Sequence, residues 1–192
     1  MTLVLWAAAA AIGYLIGAIN PATLIARPLG ADLRRVGSGN PGATNAGRAL
    51  GARWGVVIAL LDIAKGFAPA FAFGALGGEI AGEIAGLAAV IGHITSPFLR
   101  GRGGKGVATT LGAILGVQPW FAIPVLIAFG IGVAVWRQVG LGAVLGAAVL
   151  AISGVVAGIR GWVDPSDAVF AVALAAIVLS RHIGNLRRAL SR

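Results

Sequence analysis

The chain has 192 residues, 58% hydrophobic and only 11% charged, with 15 Lys and Arg against 6 Asp and Glu for a formal charge of +9. That balance excludes an ordinary water-soluble domain and makes a bilayer the natural solvent. No soluble region is large enough to turn the positive charge into a nucleic-acid surface, the absence of cysteine excludes disulfides and thiolate catalysis, and two histidines, His93 and His182, leave little for a metal site.

The predicted elements are membrane helices, with Lys and Arg marking their cytoplasmic ends. The first covers about residues 2–27; no Lys or Arg precedes it and its apolar run outlasts a signal core, so it is taken as a retained span. The next cover about residues 53–73, 83–98 and 106–117, the last two shorter than the hydrocarbon is thick. Three more cover about residues 120–136, 140–159 and 167–181. With the N-terminus outside, the basic residues from Arg27 to Arg53, those from Arg100 to Lys105, and Arg137, Arg181, Arg187 and Arg188 all fall inside, and Arg160 falls outside. The expected fold is therefore an all-α, polytopic single membrane domain of seven spans with a cytoplasmic C-terminus. Gly13 with Gly17, and Gly142 with Gly146, have the spacing at which small residues let helix backbones approach.

Three polar segments fall on the inside. The first runs from Asp32 to Arg48 and carries Gly37-Ser38-Gly39-Asn40-Pro41-Gly42-Ala43-Thr44-Asn45. Glycines allow successive N–H groups to face one anion, Ser38, Asn40, Thr44 and Asn45 can donate further hydrogen bonds, and Arg48 can add a bidentate clamp. A turn-rich polar loop is the competing reading. The second segment, His93 to Thr109, contains Gly101-Arg102-Gly103-Gly104-Lys105-Gly106. It formally matches G-x-G-x-x-G but follows a membrane helix, and it lacks the Ser or Thr that a Walker loop needs after its Gly-Lys. What remains is a glycine-rich turn opening a helix beside a lysine, a good phosphate cradle; a positive-inside anchor is the alternative. The third segment holds His182 and Asn185, three apart on one helical face, where a histidine can equally be a dipole cap. Asp62 and Lys65 share a face within the second span, either as a structural ion pair or at the inner end of a substrate site.

Together, the Gly37–Asn45 run with Arg48, the segment Gly103-Gly104-Lys105-Gly106-Val107-Ala108-Thr109, and His182 with Asn185 resemble the acyl-phosphate-dependent glycerol-3-phosphate acyltransferase family, PlsY. The resemblance extends over almost the whole chain. It departs where family members carry an aromatic and a lysine in place of Gly101 and Arg102, a Phe-Pro pair in place of Thr95-Ser96, and charged residues in place of Ile183 and Gly184. It implies seven helices with the motifs inside the bacterial cytoplasmic membrane. The implied reaction is fatty-acyl transfer from acyl phosphate to the 1-hydroxyl of sn-glycerol 3-phosphate, giving 1-acylglycerol 3-phosphate and phosphate. It also implies supply by an acyl-phosphate-producing enzyme, and no cofactor or metal.

On this reading Ser38 and nearby loop amides, from Gly37, Gly39, Asn40, Gly42, Thr44 and Asn45, take the acyl-phosphate headgroup. Arg48, Lys105, Gly103, Gly104, Gly106 and Thr109, with Lys65 beneath, hold glycerol 3-phosphate, while His182 and Asn185 position phosphate or stabilise developing charge. Neither histidine is followed five positions later by aspartate, so the His-x4-Asp dyad of other acyltransferases is absent. A substrate phosphate oxygen, or His182, is the expected proton acceptor. The competing class is a transporter or binding protein for a phosphorylated metabolite or lipid, which predicts inverted repeats and a midplane site; neither is evident here.

Overall fold

The computed structural model describes residues 2–191 and contains, among them, ten α-helices and two short 3-10 turns, with no strand. The chain divides into two compact units, one up to Gly116 and one from Val117.

In the first unit α1 (Thr2–Ala18) and α2 (Pro21–Ala26) occupy the segment expected as one helix. The interruption has a local cause. Pro21 lacks an N–H and its ring opposes the helical carbonyl one turn back, while the Asn20 side chain accepts from Thr23 N at 2.8 Å and so caps a new helix. An unexpected helix, α3 (Ala43–Leu50), follows within the first polar segment, and α4 (Ala52–Gly77) continues after the turn at Gly51. The second span thus extends beyond its expected end at residue 73, and Pro69 lies inside it. Helix α5 (Glu79–Thr95) begins four residues before the position expected from sequence and leads into a 3-10 turn, Pro97–Leu99. Together these reach 21 residues, long enough to cross hydrocarbon, which corrects the expectation of a short third helix. Helix α6 (Val107–Val117) is short as expected, about 16 Å by helical rise against roughly 30 Å of hydrocarbon.

The unit is held by close backbone approach. A Cβ at Gly13 would lie 2.4 Å from Ala85 O, one at Gly17 2.0 Å from Ala89 O, and one at Gly92 2.1 Å from Tyr14 O, so α1 and α5 lie backbone to backbone. Helices α4 and α6 meet in the same way: a Cβ at Gly66 would lie 2.1 Å from Thr109 O and one at Gly112 2.0 Å from Ile63 O. This is the small-residue packing expected where lipid tails supply no hydrophobic drive between helices.

The second unit holds α7 (Ala122–Trp136), α8 (Val139–Ile159), α9 (Pro165–Ser180) and α10 (Ile183–Leu190). Helices α7 and α8 pack through Gly132 and Gly142, and a Cβ at Gly146 would meet Val125 O at 3.3 Å. At the start of α9, Asp167 is buried and its Oδ2 accepts from Asp164 N at 3.1 Å and Gln118 Nε2 at 3.0 Å, tying the helix to its own approach segment.

Both units keep Ala and Gly inside and expose large apolar side chains, among them Leu3, Leu15, Leu60, Phe71, Ile127 and Ile152. In water that would be an aggregation surface; in a bilayer it is the solvated one. Five helical segments, Thr2–Ala26, Ala52–Gly77, Glu79–Leu99, Pro119–Trp136 and Val139–Ile159, are each long and apolar enough to cross. The α9–α10 pair qualifies only as one segment bent by 56°.

Candidate active site

The first site loop lies between α2 and α3. Gly37 and Gly39 take left-handed backbone, φ 54° and 67°, which places exposed Ser38 on a tight reversal. Asn45, buried in the first turn of α3, organises it: Oδ1 accepts from Ser38 N at 3.0 Å, and Nδ2 donates to Leu33 O and Val36 O, both at 2.9 Å. Sequence places Asn45 among the anion donors, but both its amide hydrogens are spent on loop carbonyls, so it shapes the loop instead. One turn further along α3, the Arg48 stem passes Gly37, where a Cβ would lie 3.7 Å from its Cδ. Arg48 therefore runs beside the residue that precedes Ser38, and it is exposed. Thr44 is also exposed in the first turn of α3, at the positive end of the helix dipole.

The second site loop joins α5 to α6 and folds back on α5. Gly103 N donates to Ile94 O at 2.8 Å and Gly104 N to His93 O at 3.1 Å, satisfying carbonyls at the end of α5. Sequence has these two N–H groups facing phosphate; in the fold they point the other way. The segment then opens α6, whose helical bonding starts with Thr110 N to Gly106 O at 2.7 Å, so its first-turn amides have no partner within the helix, and half-buried Lys105 immediately precedes it. Thr109 is fully buried against α4.

A buried polar node lies beneath both loops. The α1–α2 break leaves Ala18 O and Ile19 O without helical partners; Ser96 Oγ donates to the first and Lys65 Nζ to the second, each at 2.6 Å. Ser96, where the family pattern differs, therefore has a structural partner of its own. Lys65 Nζ also lies 3.0 Å from Asp62 Oδ1, with His93 Nδ1 3.5 Å from the same oxygen. Of the two sequence readings of Asp62 and Lys65, the ion pair is the one seen. His93 supports the second loop directly, since a Cβ on Gly104 would sit 2.1 Å from His93 Nε2. Asn20 Nδ2 supports the first, donating to Pro41 O at 3.0 Å.

Sequence reasoning misses one surface residue, Arg34, which it counts only as a topology marker. Its Nη1 donates to Gly39 O at 3.3 Å and its Nη2 to Arg102 O, so one guanidinium bridges the two loops. Beside it lies an open depression of about 560 Å³ lined by Arg34, Leu99, Arg100 and Arg102.

In the second unit His182 is buried at the α9–α10 bend, with Nδ1 2.8 Å from Val178 O. A carbonyl can only accept, so the ring proton is on Nδ1. Asn185 N donates to His182 O at 2.8 Å, keeping the expected pair one turn apart across a bend instead of along one continuous helix. The Asn185 amide packs where Gly140 has no side chain, and its Oδ1 accepts from Arg188 Nη2 at 3.4 Å.

A helical scaffold with exposed apolar faces and cationic, glycine-rich loops at helix starts defines an integral membrane protein. Relatives specify which one. The family model described as glycerol-3-phosphate acyltransferase matches residues 7–192. A glycerol-3-phosphate acyltransferase of Anaeromyxobacter sp. (strain Fw109-5) is 39% identical over 184 residues, covering 93% of this chain and 89% of that protein. Its counterpart in Aquifex aeolicus (strain VF5) is 38% identical over 182 residues, covering 93% and 92%. The crystal structure of PlsY in its glycerol 3-phosphate form is 34% identical and superposes with a TM-score of 0.85, covering 97% of this chain and 92% of that one. The lysophosphatidic acid form gives a TM-score of 0.83 at 33% identity, with the same coverage. The chain belongs to the glycerol-3-phosphate acyltransferase family and has the all-helical integral membrane fold of PlsY.

Proposed function

We propose that the chain moves a fatty acyl group from acyl phosphate to the 1-hydroxyl of sn-glycerol 3-phosphate, releasing 1-acyl-sn-glycerol 3-phosphate and phosphate. The observation that carries this reading is that Arg48 runs beside Gly37, next to Ser38, on a loop held by Asn45 and joined through Arg34 to the Lys105 loop. Two phosphates must lie close together in this reaction, and fixed cations with N–H donors are what that requires. Ser38 and exposed Gly37, with Gly39, Asn40, Gly42 and Thr44 beside them, take the acyl-phosphate headgroup. Arg48, Lys105 and the α6 start at Gly106 hold glycerol 3-phosphate, with Gly103, Gly104 and Thr109 shaping the turn from below. His182 and Asn185 stabilise developing charge, and a substrate phosphate oxygen accepts the hydroxyl proton. Lys65 and Asn45 act through the loops they support.

The topology that goes with this reading is a single membrane domain in the bacterial inner membrane. It counts α6 and the α9–α10 pair as the fourth and seventh crossings, with the N-terminus outside and the loops facing the cytoplasm. An acyl-phosphate-producing enzyme supplies the donor. In the deciding experiment the purified protein receives palmitoyl phosphate and glycerol 3-phosphate, and lysophosphatidate and phosphate are followed. Product is expected from wild type and its loss from Ser38→Ala and Lys105→Ala; an inert wild type, or variants at full rate, would overturn the proposal. Accumulation of a hydroxylamine-sensitive acyl group on Ser38 would replace the direct transfer with a covalent route.

A further inference from the structure

Arg34 differs from the other arginines of its loop in what it touches. Asp32 Oδ1 accepts from Arg34 N at 2.9 Å and thereby sets its backbone, but the Asp32 carboxylate pairs with Arg35 Nε at 3.3 Å. The Arg34 guanidinium is left to two neutral carbonyls, Gly39 O next to Ser38 and Arg102 O next to the Gly103–Lys105 turn. Arg34 and Arg102 are 68 positions apart in sequence. A planar fork gives each of two diverging carbonyls its own terminal nitrogen at a fixed separation, whereas an ammonium would have to serve both from one atom.

We propose that Arg34 is a positioning residue that straps the Ser38 loop to the Lys105 loop and so sets the distance between the two phosphate subsites. The proposal rests on the acyl-transfer reading for its kinetic consequence and on the geometry alone for its structural one. A residue retained only as a positive-inside anchor would be replaced by lysine without loss. A strap would not be. Misplacing reacting groups by about an ångström lowers turnover on the order of a hundredfold, so kcat is the constant to watch.

The test uses the full-length protein in detergent or nanodiscs, with palmitoyl phosphate and glycerol 3-phosphate as substrates. Arg34→Ala and Arg34→Lys are both expected to lower kcat by roughly 10- to 100-fold, with the thermal midpoint unchanged, and added guanidinium ion is expected to restore part of the rate to Arg34→Ala. The chain has no cysteine, so spin labels at Arg35→Cys and Phe98→Cys report the gap between loops without interference. The distance distribution is expected to broaden in Arg34→Ala. A distribution unchanged by Arg34→Ala, or an Arg34→Lys enzyme as fast as wild type, overturns the strap. If wild type makes no product while the labels still broaden, the strap stands and the acyl-transfer reading falls.

Discussion

The loop between α2 and α3 is organised chiefly by side chains, Asn45 at its centre, whereas the loop between α5 and α6 is organised chiefly by its own backbone folding onto α5. In the first, three loop groups converge on a single carboxamide. In the second, Gly103 and Gly104 fold onto the last carbonyls of α5, close enough that no side chain fits between. The first loop leaves Ser38 exposed at the tip of a reversal; the second spends its central N–H groups internally and leads through Lys105 into the start of α6. A loop shaped by a side chain can be loosened without unfolding its helices. One shaped by backbone contact can be changed only by forcing helices apart.

The variants that break this contrast run from the node shared by both loops outward. Lys65→Met removes the partner of Asp62 and the donor to Ile19 O, and breaking a buried pair costs about 3–5 kcal/mol. Thermal unfolding in detergent should fall markedly, and removing the other charge as well, in Asp62→Leu with Lys65→Met, should recover much of it. Gly104→Ala puts a methyl 2.1 Å from the His93 ring, and overpacking of this kind costs roughly 1–3 kcal/mol or more. Stability and activity should fall together; a wild-type midpoint would mean that the second loop is not backbone-locked.

Asn45→Ala strands Ser38 N and Leu33 O at the loop, while Val36 O keeps its bond from Gly39 N, and costs about 1–3 kcal/mol where water does not reach them. Here activity should fall much further than the midpoint, and Asn45→Asp, which keeps only the acceptor, should not rescue it. Gly37→Ala meets a left-handed penalty of about 1–2 kcal/mol and a Cβ only 2.5 Å from Asn45 Oδ1. It should slow turnover with little change in unfolding. Gly30→Ala provides the control in the same loop: φ is 73° but nothing lies within 4 Å, so about 1 kcal/mol of strain should appear with the catalytic rate intact. Equal catalytic loss at Gly30 and Gly37 would show that general loop stiffness, not the Asn45 arrangement, matters.

Much of the helical framework is legible in the order of residues along the chain. Apolar runs locate each of the long helices, and the charge pattern separates the polar segments from them. The break in the first helix is also written there, as Asn20-Pro21, a capping residue followed by the one residue best suited to a first helical turn. Hydropathy reads through that pair because both flanks are apolar. Helix α3 is hidden for the opposite reason: Ala43–Leu50 is too polar for a span and too rich in motif residues to look like anything but loop. In the site, Ser38, Arg48 and Lys105 stand out by residue type and glycine context. Arg34 does not, since nothing local distinguishes it from Arg35.

What the sequence alone determined is the solvent, the placement of the long apolar helices and the composition of the polar, glycine-rich segments, because each depends on residues adjacent in the chain. The tertiary structure decided which donors are spent and which remain. It turned the Gly103 and Gly104 amides inward, assigned Asn45 to the loop and Lys65 to the helix break, and set Arg34 across two loops. Two of those partners, Ile19 for Lys65 and Arg102 for Arg34, lie far away along the chain, and even for the nearer ones a hydrogen-bond donor's partner is fixed only when packing brings a particular acceptor within about 3 Å.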